Sequence, residues 1–249
     1  LVQDASFSQT GWQGAAPPLE ARKLINQLYK KEPGARALHP YLRHFYPCTY
    51  KLLEKCIEQA HDILVGNDLV DPSYAAFYKD GQRGDHMPII IGHQRQSCAK
   101  PRLTVWHEQH PDRVEKFMEL LIVKRIIGLV TRLVTDIFPG VAARFLADAK
   151  WHKKRYGIEP MFGLFWNLCL NAWFPGQGRI HCDPHADKKN QIGVCVLLIY
   201  VLRCGKNFDH SKYTWLVIWE AGVAIELPPW TLAIYPSALF YHFNIDVDG

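Results

Sequence analysis

Tyr213-Thr-Trp-Leu-Val-Ile-Trp-Glu220, Gly222-Val-Ala-Ile-Glu-Leu227 and Trp230-Thr-Leu-Ala-Ile-Tyr-Pro236 follow one another, separated only by Ala221 and by Pro228-Pro229. Runs this short, rich in β-branched and aromatic residues and parted by turn formers, read as strands rather than helices. Three more runs of the same texture flank them: Gly163 to Phe174, Ile192 to Leu202 and Ala238 to Ile245, with turn residues in PGQG, CGKNFDHS and LPPW. Six such runs after Gly157 predict an antiparallel meander of the kind that builds sandwiches and jelly rolls. In the first run Asn167, Cys169 and Asn171 share one face, and Leu168, Leu170 and Ala172 share the other. That polar face suits a lined cavity and a half-solvated sheet equally well.

Upstream the apolar period becomes helical. Pro17-Pro18 opens LEARKLINQLYKK, and Tyr50 to Leu64 sets Leu52, Leu53, Cys56, Ile57 and Ala60 at helical spacing. Asp112 to Phe138 reads as the longest helix, and Pro139-Gly140 breaks it before a second, Val141 to Tyr156. Lys79 to Arg102, rich in Gly, Pro, Gln and His, is expected to be a long loop around a short strand, Pro88 to Ile91. The expected fold class is therefore α+β. Residues 1–156 form a mostly helical support and residues 157–249 a jelly roll, or double-stranded β-helix, in one integrated domain.

At 249 residues, 48% hydrophobic and 12% aromatic, the chain has enough apolar surface to bury a core, which excludes wholesale disorder. Glu119, Lys124, Arg125 and Arg132 interrupt the most apolar helical stretch, so it falls short of the ~20 apolar residues of a bilayer span. The opening LVQDASFSQTGW lacks the charged start and apolar run of a signal peptide. The chain opens at Leu1 rather than Met, as a fragment or a processed product does. Seven scattered cysteines with no Cys-x-x-Cys pair predict reduced thiols and an intracellular setting. The net charge of +5 permits an acidic partner without requiring one.

Chemistry concentrates in Arg179-Ile-His-Cys-Asp-Pro-His-Ala-Asp-Lys-Lys-Asn190, which holds two His-x-Asp units, His181/Asp183 and His185/Asp187. His242 follows in the last apolar run. Two histidines and one carboxylate form the facial triad of non-haem Fe(II) oxygenases, which leaves coordination positions open for oxygen and a co-substrate. A His-x-Asp at a strand edge makes two alternate side chains converge, and the third ligand must return from a late strand. His-x-Asp alone is a common chance pattern, equally at home in a solvated loop. His210 reads as a loop residue, and Trp166, Trp173, Trp215, Trp219 and Trp230 read as packing residues.

The segment from Glu226 through Ile234-Tyr-Pro-Ser237 to His242 resembles the 2-oxoglutarate/Fe(II) dioxygenase fold, where a turn, a strand ending in such a phrase and a distal histidine recur. His185-Ala-Asp187, followed by Asn190 and Gly193-Val-Cys-Val196, resembles more narrowly the TET/JBP-type oxygenases and their fungal relatives. The resemblance runs from Gly163 to the end, about a third of the chain. It implies Fe(II) and 2-oxoglutarate as cofactors and hydroxylation of a C–H bond, with a methylated base of DNA or RNA, flipped from its stack, as substrate. A nuclear location would follow.

Two ligand assignments fit. The TET/JBP-like reading, preferred on the spacing to Asn190 and Gly193, takes His185, Asp187 and His242. An AlkB-like reading, with Asn171 and Trp173 upstream, takes His181 and Asp183. Under the first, His181 lies beside the cavity and Asp183 orients a ligand imidazole, with Asn171, Asn190 and Tyr235 close around the site. The family normally anchors the co-substrate's far carboxylate on an Arg or Lys after the distal histidine, but Phe243-Asn-Ile-Asp-Val-Asp-Gly249 contains neither. Arg179 is a weak substitute. The length suits folding and looks short for catalysis.

Lys150, Lys153, Lys154 and Arg155 interleave with Trp151 and Tyr156, as a surface that contacts phosphates and stacks on bases would. Cations at a helix C-terminus also answer its dipole without any ligand. The other readings are an iron oxygenase acting on a small molecule or a protein side chain, and a catalytically inactive β-helix that only binds.

Overall fold

The computed structural model describes residues 47–66, 84, 86–95, 98–172, 180–188, 190–200 and 208–247. The helix expected after Pro18, together with Trp173 and Arg179, lies outside them. The chain divides into two compact units: Leu1–Leu52 with Pro72–His86 and Trp173–Gly249, and Leu53–Asp71 with Met87–Ala172.

The second unit combines helices with a small sheet. Helix α1 (Pro47–Val65) buries Ile57, Ala60, Leu64 and Val65 on one stripe, the face its sequence period predicts. Arg113 Nε donates to Ile63 O at 3.0 Å and ties α1 to the helices that follow. These are α2 (Val105–Gln109), α3 (Pro111–Glu119), α4 (Leu121–Ile137) and α5 (Pro139–Tyr156). The single long helix expected from Asp112 to Phe138 is thus two, parted at an extended Leu120. The reason is a change of phase. Val114 and Phe117 are buried, but Leu121 and Lys124, which would continue their stripe, are exposed; Val123, Val130 and Val134 are buried instead. No Gly or Pro marks that break. The break at Pro139 and the end at Gly157, whose φ is +70°, follow the expected signals.

Strand β1 (Met87–Gln94) is twice the length expected inside its loop and pairs antiparallel with β2 (Arg102–Leu103) and β3 (Asn167–Ala172). Leu168, Leu170 and Ala172 lie opposite Ile91, Ile89 and Met87, which are all buried. On the other face Cys169 is exposed and stands opposite Ile90, itself 38% exposed. The polar stripe of β3 is therefore the half-solvated side of a sheet. Gly92 ends the β1–β3 register with φ +99°, and a Cβ there would stand 2.5 Å from Trp166 O, so no other residue fits.

The first unit is built from antiparallel strands in two layers. Strand β4 (Cys195–Leu198) pairs with β7 (Leu232–Tyr235). Strand β5 (Trp215–Ile218) lies between β6 (Val223–Ile225) and β8 (His242–Ile245). Each of the six apolar runs yields one strand, but the order is not a meander: apart from the β5–β6 hairpin, partners are distant in sequence. Leu216, Ile218, Leu227 and Tyr235 form the core between the layers, with Cys195, Leu197, Ile225 and Ala233 against it. Trp215, Val217, Phe243 and Ile245 pack on the opposite face of β5 and β8. These two strands are thus buried on both faces, and each large apolar side chain so covered contributes roughly 1.5–3 kcal/mol. Trp215 and Trp230 are core residues as expected, whereas Trp219 is 42% exposed because β5 ends at Ile218 and Trp219 opens the turn closed by Gly222. Among the described residues no single helix is long and apolar enough to cross a membrane.

Burial holds the second unit's His61, His93 and His107 below the ordinary imidazole value of 6.5, and His107 adds a repulsion on His93. The unfolded chain therefore binds more protons as pH falls, so stability rises with pH. We expect the thermal midpoint to be flat above about pH 7.5 and to drop as pH falls below 6.5 toward the lowered folded values. A midpoint that does not move between pH 7.5 and 5.5 in a calorimetric series would contradict this.

Candidate metal centre

Strand β8 begins at His242. Register sets His242 opposite Ile218 and Asn244 opposite Leu216, so both polar side chains take the side of the core between the layers, while Phe243 and Ile245 take the other. The far edge of β8 meets the segment that carries the His-x-Asp units. His185 N donates to His242 O at 3.1 Å, and His242 N returns a bond to His185 O at 2.8 Å. Two residues on, Asp187 N donates to Ser237 O at 2.9 Å, in the turn that follows β7.

The side chains complete the arrangement. His185 Nδ1 lies 2.6 Å from Asp183 O and His242 Nδ1 lies 3.1 Å from Phe240 O. A carbonyl oxygen only accepts, so each Nδ1 carries the proton and each Nε2 carries a lone pair. Those lone pairs turn toward one carboxylate: His185 Nε2 is 3.8 Å from Asp187 Oδ1, and His242 Nε2 is 3.8 Å from Asp187 Oδ2. All three donor atoms lie within 4.8 Å of one another. The two imidazoles are buried and Asp187 is 18% exposed. Asn190 Nδ2 donates to Asp187 Oδ2 at 3.2 Å.

Three electron-pair donors converging away from water repel one another unless a cation lies between them. Donors adjacent on a metal at about 2.1 Å stand about 3 Å apart, so this set closes on an ion by side-chain shifts of up to about an ångström. Two imidazoles and a carboxylate with second nitrogens held by carbonyls suit a divalent transition metal. The residues fit a metal ion.

Tyr235 stands edge-on to His242, with ring centroids 5.1 Å apart, and opposite Cys195 in the β4–β7 register. Burial pushes the Cys195 thiol up to about 11 and the Tyr235 phenol well above its ordinary value. Both stay protonated at neutral pH and wall the site without reacting.

The other expected residues stand elsewhere. His181 Nε2 pairs with Asp183 Oδ1 at 3.3 Å, and His181 is 42% exposed, so this second His-x-Asp unit is occupied with itself. Asp183 does orient a ligand imidazole, but through its main-chain carbonyl rather than its carboxylate. Asn171 belongs to the second unit, on the half-solvated face of β3, where it accepts from Cys169 Sγ at 3.2 Å. Lys150, Lys153, Lys154 and Arg155 are all exposed on α5, also in the second unit, and Lys153 Nζ is bound to Glu159 at 2.9 Å. His210 is held by Glu226 at 2.7 Å rather than simply solvated. Two residues escaped the sequence reading: Ser237, 1% exposed beneath Asp187, and Asn244. Asn244 left a signal, being a lone amide on the His242 face of an otherwise apolar run.

Titration of the apo protein with Co(II) should show one strong site. His185→Ala, Asp187→Ala and His242→Ala should each weaken it more than about tenfold, the lower bound for disturbing even outer partners of a metal. His181→Ala should leave it intact; loss of binding there, and not in His185→Ala, would reverse the assignment. No protein-family model, curated protein or solved structure matches the chain.

Proposed function

We propose that the chain is an Fe(II)- and 2-oxoglutarate-dependent oxygenase of the double-stranded β-helix type, hydroxylating a C–H bond. The observation that carries this reading is the convergence of His185 Nε2, His242 Nε2 and the Asp187 carboxylate, with both imidazole tautomers set by main-chain carbonyls. The strand order supports the β-helix. The His185 segment borders β8, which borders β5, which borders β6, and the β4–β7 pair faces this layer across a shared core.

Bound Fe(II) with 2-oxoglutarate supplies oxygen activation and oxidation of a substrate C–H bond, and the protein supplies the setting. His185 and His242 cannot turn their donor nitrogens away without breaking the bonds to Asp183 O and Phe240 O. Asn190 keeps Asp187 Oδ2 directed while the carboxylate offsets the metal's charge. Leu216, Ile218 and the protonated Tyr235 and Cys195 keep bulk water from the inner side.

For substrate we favour a methylated base of DNA or RNA over a small molecule or a protein side chain, with the nuclear location that implies. The support is the exposed face of α5. There Lys154 and Arg155 lie one turn on from Trp151, which is 51% exposed and whose ring centroid stands 5.6 Å from that of Tyr156, and Lys150 precedes it; the helix's one acidic residue, Asp148, is turned to buried His152 at 3.3 Å. Cations around an exposed indole suit a phosphate backbone with a base stacked on the ring.

With Fe(II), oxygen and 2-oxoglutarate the chain should release succinate, and His242→Ala should abolish it. Metal binding without succinate would leave only the inactive binding module. Separately, binding of a fluorescent single-stranded oligonucleotide should weaken steeply with salt. Lys150→Glu with Lys154→Glu should weaken it and flatten the salt slope, whereas Trp151→Ala should weaken it at unchanged slope. Binding indifferent to salt and to these substitutions would favour the small-molecule or protein substrate.

A further inference from the structure

We infer that Asn244 is a positioning residue: by holding a one-residue slip in register at Asp183-Pro184, it selects His185/Asp187 over His181/Asp183 as the metal-facing pair. The inference rests on the metal reading above and explains what sequence spacing left open. The reciprocal bonds between His185 and His242 define an antiparallel pair. An unbroken ladder would then set residue 183 against residue 244, with Asn244 N donating to Asp183 O. Instead Asn244 N donates to Cys182 O at 3.3 Å. Three steps of chain, 182 to 185, thus span what two steps span on β8, the signature of a bulge. Pro184, which has no N–H to contribute to a ladder, sits inside the extra stretch.

The Asn244 side chain closes the slip. Its Oδ1 accepts from Cys182 N at 2.6 Å, and its Nδ2 donates to Ile180 O at 2.6 Å. Together with its main-chain bond it fastens residues 180–182 in the shifted register.

Two consequences follow. In an unslipped strand, residues 181, 183, 185 and 187 would all share one face, and two His-x-Asp units would compete for one ion. The slip reverses the alternation before Pro184, so Cys182 rather than His181 takes the place opposite Asn244. His181 and Asp183 are left to pair with each other, His181 at 42% exposure. The slip also releases Asp183 O from the ladder, and His185 Nδ1 takes that carbonyl at 2.6 Å. One misregistered residue therefore sets both the choice of ligand pair and the tautomer of its histidine.

The test uses the full chain loaded with Co(II), read by binding titration and by its visible absorption bands. Asn244→Ala should weaken Co(II) about 10–100-fold, as loss of outer partners does, and shift the bands. In that background His181→Ala should shift them again, while in the parent chain it should change nothing. Asn244→Asp, which keeps the acceptor for Cys182 N and loses the donor to Ile180 O, decides the matter if the alanine variant fails to fold by circular dichroism. Weaker binding with altered bands in a folded variant supports the inference. Parent-like affinity and bands in a folded Asn244→Ala or Asn244→Asp chain overturn it. Failure of the parent chain to bind Co(II), or indifference to His242→Ala, would instead bring down the metal reading itself, and this inference with it.

Discussion

The paired main-chain bonds between His185 and His242 govern the first unit, because they join a segment with little ladder of its own to a strand buried along its whole length. Strand β8 is covered on both faces, so its backbone is as rigid a reference as this unit offers. Any side chain registered against it inherits that rigidity. His242 has it directly and His185 has it through two hydrogen bonds. Asp187 has it at one remove, through Ser237 in the turn after β7.

Electrostatics then acts on a geometry that packing has already set. The histidines are not free to choose tautomers, since each has a carbonyl two residues back that takes the Nδ1 proton. The same local rule operates at both positions although one lies in a strand and the other beside one. Main-chain carbonyls thus keep the lone pairs directed at Asp187. Cys195 and Tyr235 fit this logic: burial suppresses their ionisation, so the only fixed negative charge described at the centre is the carboxylate.

The second unit makes a contrasting use of histidine. His93, His107 and His61 are held neutral by burial within helices and the β1–β3 sheet rather than by donation toward a common point. They make the unit sensitive to acid, and among the described residues they gather no donor set like that of His185, Asp187 and His242. A histidine-rich composition, read without the fold, gives no hint of that division of labour.

Much was legible in the chain. The six apolar runs and the Pro139 and Gly157 boundaries follow from patterns that local physics enforces: strand alternation, missing N–H groups and positive φ. His242 with one of two His-x-Asp units was legible as a candidate donor set, and only a resemblance favoured His185. The break at Leu120 was not legible, because it records which stripe the neighbouring helices could bury, and no residue at that point refuses a helix. Nor was the polar face of β3, since an alternating strand reads the same beside a cavity as beside water. The sequence by itself determined that two histidines and an aspartate would be available in a β-rich unit. Only the tertiary structure decided which His-x-Asp faces the centre, because that depends on a single residue of register, and register is settled by hydrogen bonds to a strand sixty residues away.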